Sequence, residues 1–185
     1  RVGGPVGAQM QSAFDDNWVK TSGKLLNGAG FYPEIATAGS MDASMFMSSP
    51  SGGSASMHLM YLMVIAATEH QIDLSAAYFV PDELMIQSLL AARKRGVKVR
   101  VLLPGKHSDS EAVRLASKAE WGRLLSAGVE MFVYQPTMIH NKMLIADNEL
   151  VSVGSTNFDI RSFQLNDEAS LNVYDKTYAS HRQSV

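Results

Sequence analysis

The pattern of apolar and polar residues divides the chain into strands and helices that follow one another in turn. Apolar side chains at every second position predict strands, and apolar side chains three or four positions apart predict helices. Strands are expected at residues 41–48, 71–79, 97–103, 129–134, 138–146, 150–153 and 169–173. Helices are expected at residues 5–20, 54–69, 83–95 and 111–127. Strands that alternate with helices in this way are typical of an α/β domain.

The first two helices carry apolar residues that we interpret as core. In the first helix they form a stripe at helical spacing, made of Val6, Met10, Ala13, Phe14 and Trp18. In the second helix one side holds Leu59, Leu62, Met63 and Ala66. The helix also contains Met57, Met60 and Met63, and we interpret these methionines as core residues rather than as a membrane-seeking face. Residues 21–40, which are rich in Gly, Ser and Thr, are expected to form a linker.

The composition is that of an ordinary globular protein, with 46% hydrophobic and 18% charged residues among 185. A net charge of −2 offers no basic surface, so we do not expect a nucleic-acid partner. The lack of cysteine excludes disulfides, thiol nucleophiles and thiolate zinc sites. No apolar run reaches the roughly 18 residues of a membrane span. Because the chain opens in mid-pattern at Arg1, we expect a fragment truncated at both ends.

The most informative stretch is residues 140–157, which read H-x-K, four residues, D, six residues, then G-S-x-N. Its fixed members are His140, Lys142, Asp147, Gly154, Ser155 and Asn157. At average composition, six fixed positions match a chain of this size by chance well under roughly once in ten thousand. The conjunction is therefore a strong signal, although each residue alone has an ordinary structural interpretation.

These residue types together suit a phosphate group. On a strand from residue 138 to 146, His140 and Lys142 share one face and make a cationic pocket. Gly154 lets the backbone approach a ligand closely, and Ser155 and Asn157 add hydrogen-bond donors. Imidazole, ammonium, hydroxyl and amide groups that converge on one spot are suited to bind a phosphate.

Other polar residues have weaker signals. Asp147 lies in a turn, and we expect it to hold the hairpin rather than to take part in the chemistry. The loop at residues 49–53 could cradle a phosphate, but we favour a plain turn there. The loop at residues 106–110 follows a strand, where a substrate could bind; a plain connection is favoured. His58 and His70 have no partner in the sequence, and we assign them no chemistry.

The stretch at residues 140–157 resembles the HKD motif of the phospholipase D superfamily. Further stretches resemble the second half of bacterial cardiolipin synthases, namely residues 77–82, 101–106, 134–136 and 153–163. The resemblance is sharp from residue 72 to 175 and weaker before residue 50. It implies a phospholipase D-like α/β domain, whose central mixed sheet has helices on both faces. Residues 1–20 would end a preceding half, 21–40 would be the linker, and 41–185 would form the second half with one motif.

The resemblance also implies the roles of the residues. Two halves would each give one motif to a shared site, so the partner is a second half from the same chain or a dimer mate. One imidazole would form a phosphohistidine and its mate would protonate the leaving alcohol, without a metal or cofactor. His140 would be the acid/base partner, and Lys142, Ser155 and Asn157 would stabilise charge on phosphorus. Glu168 would accept a hydrogen bond from a catalytic imidazole of either half; the alternative is a surface charge.

The expected function is a phosphatidyltransferase that acts on phosphatidylglycerol at a membrane surface. For the full-length protein the expected location is the bacterial inner membrane, facing the cytoplasm. One alternative is a phosphodiesterase or nuclease. The net negative charge and the linker that would join two halves both disfavour it. Another is an inactive partner half, which the intact His140 and Lys142 disfavour.

Overall fold

The computed structural model describes residues 1–50 and 55–183. In chain order these residues form α1 (Val6–Ser22), β1 (Asp42–Ser48), α2 (Ser56–Ala67), β2 (Gln71–Ala76), β3 (Phe79–Val80), α3 (Glu83–Lys94), β4 (Lys98–Pro104), α4 (Glu111–Ser126), β5 (Glu130–Tyr134), β6 (Lys142–Ala146), β7 (Leu150–Gly154), β8 (Phe158–Asp159), α5 (Ile160–Gln164), β9 (Glu168–Tyr174) and α6 (Lys176–Gln183). The loop considered as a phosphate cradle, residues 49–53, lies mostly outside the described residues.

A mixed sheet of seven strands forms the centre of the fold, in the order β1-β9-β7-β6-β2-β4-β5. Strands β2, β4 and β5 are parallel, because helices α3 and α4 carry the chain back between them. The other neighbours in this sheet are antiparallel. The two short strands β3 and β8 pair separately, in parallel. The predicted α/β fold with a mixed sheet is confirmed.

The helix boundaries follow from capping residues. Helix α3 begins after Asp82, whose carboxylate accepts a hydrogen bond from the Met85 amide at 2.9 Å. Helix α4 begins after Ser110, whose hydroxyl accepts from the Val113 amide at 3.4 Å. Both helices are followed by a glycine with positive φ, 94° at Gly96 and 84° at Gly128.

The two faces of the sheet are covered unequally. On one face, Val99, Val101 and Leu103 of β4 are at most 2% exposed and join a core that includes residues of α2, α3 and α4. On the other face, α6 covers only a small cluster around Ile145 and Val151. Beside it lies an open groove of about 700 Å³ across β2, β4, β5 and β6. The prediction of helices on both faces is thus confirmed, with one face partly open.

The apolar stripe of α1 does not pack in a core within this chain. Met10, Phe14 and Trp18 are 40%, 55% and 40% exposed. The helix runs beside β1, where the Gln9 side chain accepts a hydrogen bond from the Met45 amide at 2.7 Å. The core interpretation of this stripe is therefore wrong for the described chain, because only Val6 of the stripe is buried.

Helix α2 buries a different face from the one that its spacing suggested. Its buried residues are Met57, Met60, Tyr61 and Ile65. Leu59 and Met63 are 58% and 62% exposed, so the core prediction is correct for the first two methionines and wrong for Met63. The helix is apolar nearly all round, so periodicity did not select a face. The contacts of Tyr61 with Phe158 and Phe163 fix it. No helix of the described residues is long and apolar enough to cross a membrane.

Candidate active site

The candidate site residues predicted from the sequence gather at one end of the sheet, except Asp147. Strands β6 and β9 begin there and β7 ends there, which follows from their antiparallel pairing. The residues at this end are His140, Lys142, Gly154, Ser155, Asn157 and Glu168. Asp147 lies at the opposite end of β6, so it is not part of the site.

His140 lies in a loop and not on a strand, which corrects the prediction of a strand from residue 138. Strand β6 begins at Lys142, which is paired with Ala76, the last residue of β2. Residues 138–141 have no neighbouring strand to pair with, because β2 has already ended. Within this loop Asn141 accepts a hydrogen bond from the Ser75 hydroxyl at 2.7 Å. His140 therefore projects from the end of the sheet, and its side chain is 50% exposed.

His140 and Lys142 are in direct contact. The Lys142 ammonium lies 2.9 Å from His140 Nδ1 and 3.3 Å from Nε2. It also donates a hydrogen bond to the His140 carbonyl oxygen at 3.1 Å. Lys142 is only 9% exposed, and this burial lowers its pKa, although nearby carboxylates, Glu168 first among them, oppose the shift. The Lys142 ammonium, which is largely shielded from water, thus contacts the solvent-exposed imidazole ring of His140.

Glu168 holds Ser155 and makes no hydrogen bond or ion pair with His140 among the described residues. The Ser155 hydroxyl donates a short hydrogen bond to Glu168 Oε2, and the side-chain NH₂ group of Asn166 donates to Oε1 at 3.2 Å. The Ser155 hydroxyl also accepts from the Ala169 amide at 3.1 Å. Glu168 is 7% exposed, so it is a buried carboxylate and not a surface charge. Its predicted hydrogen bond to an imidazole would involve the other half, and stays a prediction.

Gly154 and Asn157 make structural contacts at this end of the sheet. A Cβ atom at Gly154 would lie 2.2 Å from the Ala169 carbonyl oxygen and 2.6 Å from Ser170 Cα. The close approach that requires glycine in this structure is to β9, and the predicted approach of a ligand to Gly154 stays a prediction. Asn157 Oδ1 accepts a hydrogen bond from the Tyr78 amide at 3.2 Å. This leaves the NH₂ group of Asn157 without an acceptor in residues 1–50 and 55–183 and able to donate to a ligand.

Asp147 ties the β6–β7 hairpin to the connection between α2 and β2. Its carboxylate accepts hydrogen bonds at 2.8 Å from the amides of Glu69, His70 and Gln71. Burial alone would raise the pKa of Asp147, but the three amides outweigh it and lower the pKa below its usual value. Asp147 and Asn148 have φ of 50° and 55°, as a tight hairpin turn requires. This geometry agrees with a structural role for Asp147.

Two residues of the site were not identified from the sequence. Asp109 Oδ2 lies 4.0 Å from His140 Nε2 and accepts a hydrogen bond from the Tyr78 hydroxyl at 2.7 Å. The Tyr78 ring meets the His140 ring edge-on, with centroids 6.0 Å apart. Asp109 belongs to the loop at residues 106–110, so the position of that loop after a strand was the available signal. Tyr78 offered no signal apart from the resemblance.

His58 also has a partner that the sequence did not reveal. Its Nε2 lies 3.1 Å from Asp82 Oδ2, close enough for an ion pair, and its ring stacks on Phe163. Asp82 caps α3 with its other oxygen, so this contact belongs to the packing of α2 against α3 and α5. No group of three or more His, Cys, Asp or Glu residues in the described ranges is arranged to hold a metal ion.

Several solved structures share this fold. The phospholipase D family member Nuc from Salmonella typhimurium matches 77% of the chain and 91% of its own, with a TM-score of 0.65 and 25% identity. The phosphatidylserine synthase of Haemophilus influenzae Rd KW20 matches 91% of the chain and 42% of its own, with a TM-score of 0.64 and 11% identity. The second similarity is one of fold alone.

Curated relatives are more similar in sequence. Cardiolipin synthase A of Pseudomonas syringae pv. syringae (strain B728a) is 33% identical over 100% of the chain, and that of Pseudomonas entomophila (strain L48) is 34% identical over the same share. The chain spans 38% of the length of each of these relatives. The family described as "Cardiolipin synthase, PLD-like domain" matches residues 61–185, which include the whole site. The chain belongs to this family.

Proposed function

We propose that the protein containing this chain is a phosphatidyltransferase of the cardiolipin synthase type. It would transfer a phosphatidyl group from one phosphatidylglycerol molecule to a hydroxyl of another, with release of glycerol. The observation that carries the proposal is the contact between His140 and the buried ammonium of Lys142, at 2.9 Å. The names of the Pseudomonas relatives, Cardiolipin synthase A, support cardiolipin as the product.

The reaction would require two imidazoles. One attacks phosphorus, so that a P–N bond forms as the bond between phosphorus and the glycerol oxygen breaks; the other gives its proton to that oxygen. A hydroxyl of the second lipid then gives its proton to the second imidazole and displaces the first from phosphorus. We assign proton transfer to His140. The nucleophilic imidazole would come from a second motif, in the same chain or in a dimer mate.

The neighbours of His140 would stabilise the charge that develops on phosphorus. Lys142 is suited to this because its ammonium is buried, and a cation interacts more strongly with an anion where water is excluded. Asn157 Nδ2 is a further donor, and the Ser155 hydroxyl would become one if its hydrogen, which Glu168 accepts in this structure, turned towards the phosphate. Because the substrate is a lipid, the protein would work at a membrane surface, and the bacterial inner membrane on its cytoplasmic side is the location that we propose.

The test uses the longer protein with both halves, supplied with phosphatidylglycerol in mixed micelles, and identifies products by mass spectrometry. Cardiolipin plus glycerol from the wild type, lost in His140→Ala, is the expected result. His70→Ala is the matched control, because this histidine lies at the opposite end of the sheet and should leave turnover intact. Phosphatidic acid as the only product would indicate a hydrolase. Cleavage of a nucleic acid without lipid turnover would refute the lipid assignment.

A further inference from the structure

An acidic residue lies beside the candidate site in a position that the phosphate chemistry does not use. Asp109 Oδ2 is 4.0 Å from His140 Nε2, and its partner Tyr78 is tied to the site through its amide, which donates to Asn157 Oδ1 at 3.2 Å. Tyr78 therefore links Asp109 by hydrogen bonds to Asn157, which is one of the groups proposed to hold phosphorus.

The charge of Asp109 excludes direct contact with the phosphate. A carboxylate and a phosphodiester repel one another, and Lys142 is the cation that the phosphate would meet. A carboxylate at such a place has to face a part of the substrate that donates hydrogen bonds. In a phospholipid with an alcohol headgroup, that part is the alcohol on the far side of the bond that breaks or forms.

Asp109 and Tyr78 are arranged so that one carboxylate oxygen of Asp109 can accept a hydrogen bond from such a donor. Asp109 is 41% exposed, and within the described ranges its Oδ1 atom receives no hydrogen bond, whereas Oδ2 is held by Tyr78 at 2.7 Å. The hydrogen bond to Asp109 raises the pKa of Tyr78, which keeps the phenol protonated and its donation directed at the carboxylate. The fixed carboxylate thus presents one free acceptor atom to solvent next to the His140 ring.

We propose that Asp109, oriented by Tyr78, binds the glycerol headgroup and selects alcohols with more than one hydroxyl group. This proposal rests on the proposed function. The reacting hydroxyl exchanges its proton with an imidazole, as described above, and Asp109 forms no covalent bond. It accepts a hydrogen bond from the neighbouring hydroxyl that does not react. An alcohol with a single hydroxyl, such as ethanol, lacks that second donor and gains nothing from Asp109.

The test is a competition between acceptors in the longer protein with both halves. Phosphatidylglycerol is the donor, and deuterated glycerol and ethanol compete at equal concentration as acceptors. Mass spectrometry then gives the ratio of deuterated phosphatidylglycerol to phosphatidylethanol. In Asp109→Ala we expect this ratio to fall about tenfold, as for the loss of a hydrogen bond to a charged group.

Two further variants complete the design. Tyr78→Phe leaves the carboxylate in place without its anchor, so a smaller fall of about threefold is expected. Asp42→Ala removes an exposed aspartate at the start of β1, at the far end of the sheet, and should not change the ratio.

Each other result has a distinct meaning. An unchanged ratio in Asp109→Ala, with turnover intact, would overturn the inference and leave the proposed function standing. Loss of both products in equal proportion would also overturn it, because Asp109 would then act in the chemistry and not in the choice of alcohol. A selective loss of transfer to added ethanolamine would overturn it in favour of a subsite for a cation. A wild-type protein without any phosphatidyl transfer would instead refute the proposed function.

Discussion

The ammonium of Lys142 lies 2.9 Å from Nδ1 of His140, although only one residue separates the two in the chain. The contact arises because His140 is in the loop that precedes β6 and folds back over the first residue of the strand. The ammonium also holds the His140 carbonyl oxygen at 3.1 Å, so one side chain fixes both the backbone and the ring. Lys142 is thus placed to position the imidazole, and under the proposed function it would also stabilise charge on the substrate phosphate.

Removal of the Lys142 charge is expected to abolish turnover without unfolding the protein. In Lys142→Met, turnover of phosphatidylglycerol should fall by about 100-fold or more, as for the loss of one group that stabilises a transition state. Stability should not fall, because burial of the ammonium opposes folding at pH 7, as the lowered pKa indicates. Product formation by the longer protein and thermal unfolding of this chain measure the two effects. A lower midpoint of unfolding would contradict the second expectation.

Asp147 is expected to stabilise the fold in a pH-dependent way. Its folded-state pKa lies below the ordinary value of 3.8, so its contribution is fully present above that pH and is lost as the pH falls through the folded pKa. Asp147→Asn keeps a residue that tolerates positive φ but removes the charge that three amides contact. We expect the variant to lose about 2 kcal/mol of unfolding free energy at pH 7.

Urea unfolding at several pH values tests this expectation. The difference between the wild type and Asp147→Asn should be constant from pH 7 to about pH 5 and should shrink below about pH 4. Asp42→Asn, an exposed residue on β1, is the control and should change stability by less than about 0.5 kcal/mol. A difference that grows in acid would show that the three amides do not stabilise the ionised carboxylate.

Ser155 is expected to stabilise a buried charge. Its hydroxyl donates to Glu168, which is 7% exposed, and accepts from the Ala169 amide at 3.1 Å. Ser155→Ala leaves both groups short of a partner, and we expect a loss of about 1 to 3 kcal/mol in urea unfolding at pH 7. Ser12→Ala removes a hydroxyl that only contacts a carbonyl oxygen of its own helix and should have little effect. Equal effects of the two changes would argue against a structural role for the hydroxyl of Ser155.

The sequence predicted the elements of the sheet better than their contacts. Residues 97–103 are rich in valine, so β4 was located to within one residue at each end. The meeting of Tyr78 with Asp109, 31 positions away, depends on the parallel pairing of β2 with β4 and on a loop conformation that residue spacing does not encode. The contact of Ser155 with Glu168 similarly depends on the register between β7 and β9.

Residue spacing also did not reveal which faces of α1 and α2 are buried, and the core predictions for these helices were partly wrong for that reason. In α2, apolar residues surround the whole helix, so Met60 and Met63 could not be distinguished by period. In α1, the stripe of Phe14 and Trp18 has the correct helical spacing, but its exposure shows that periodicity identifies a face without identifying what covers it. Burial is a property of the neighbours, and a helical period contains no information about them.

Gly154 is expected to be the least replaceable glycine at the site. A Cβ atom there would lie 2.2 Å from the Ala169 carbonyl oxygen, and backbone atoms of a paired strand cannot yield as a flexible side chain does. Gly154→Ala should therefore separate β7 from β9 and lower the free energy of unfolding by about 2 kcal/mol or more. The proposed release of glycerol by the longer protein should fall with it, because Ser155 and Glu168 are positioned by this pairing.

Gly122→Ala is the matched control for this substitution. Gly122 lies within α4, and a Cβ atom there meets nothing within 4 Å. Alanine is preferred to glycine in a helix interior by about 1 kcal/mol, so this change should raise the free energy of unfolding. Urea unfolding of the two variants and the wild type should therefore shift in opposite directions. If Gly154→Ala unfolded at the same urea concentration as the wild type, the close approach of β7 and β9 would not require glycine.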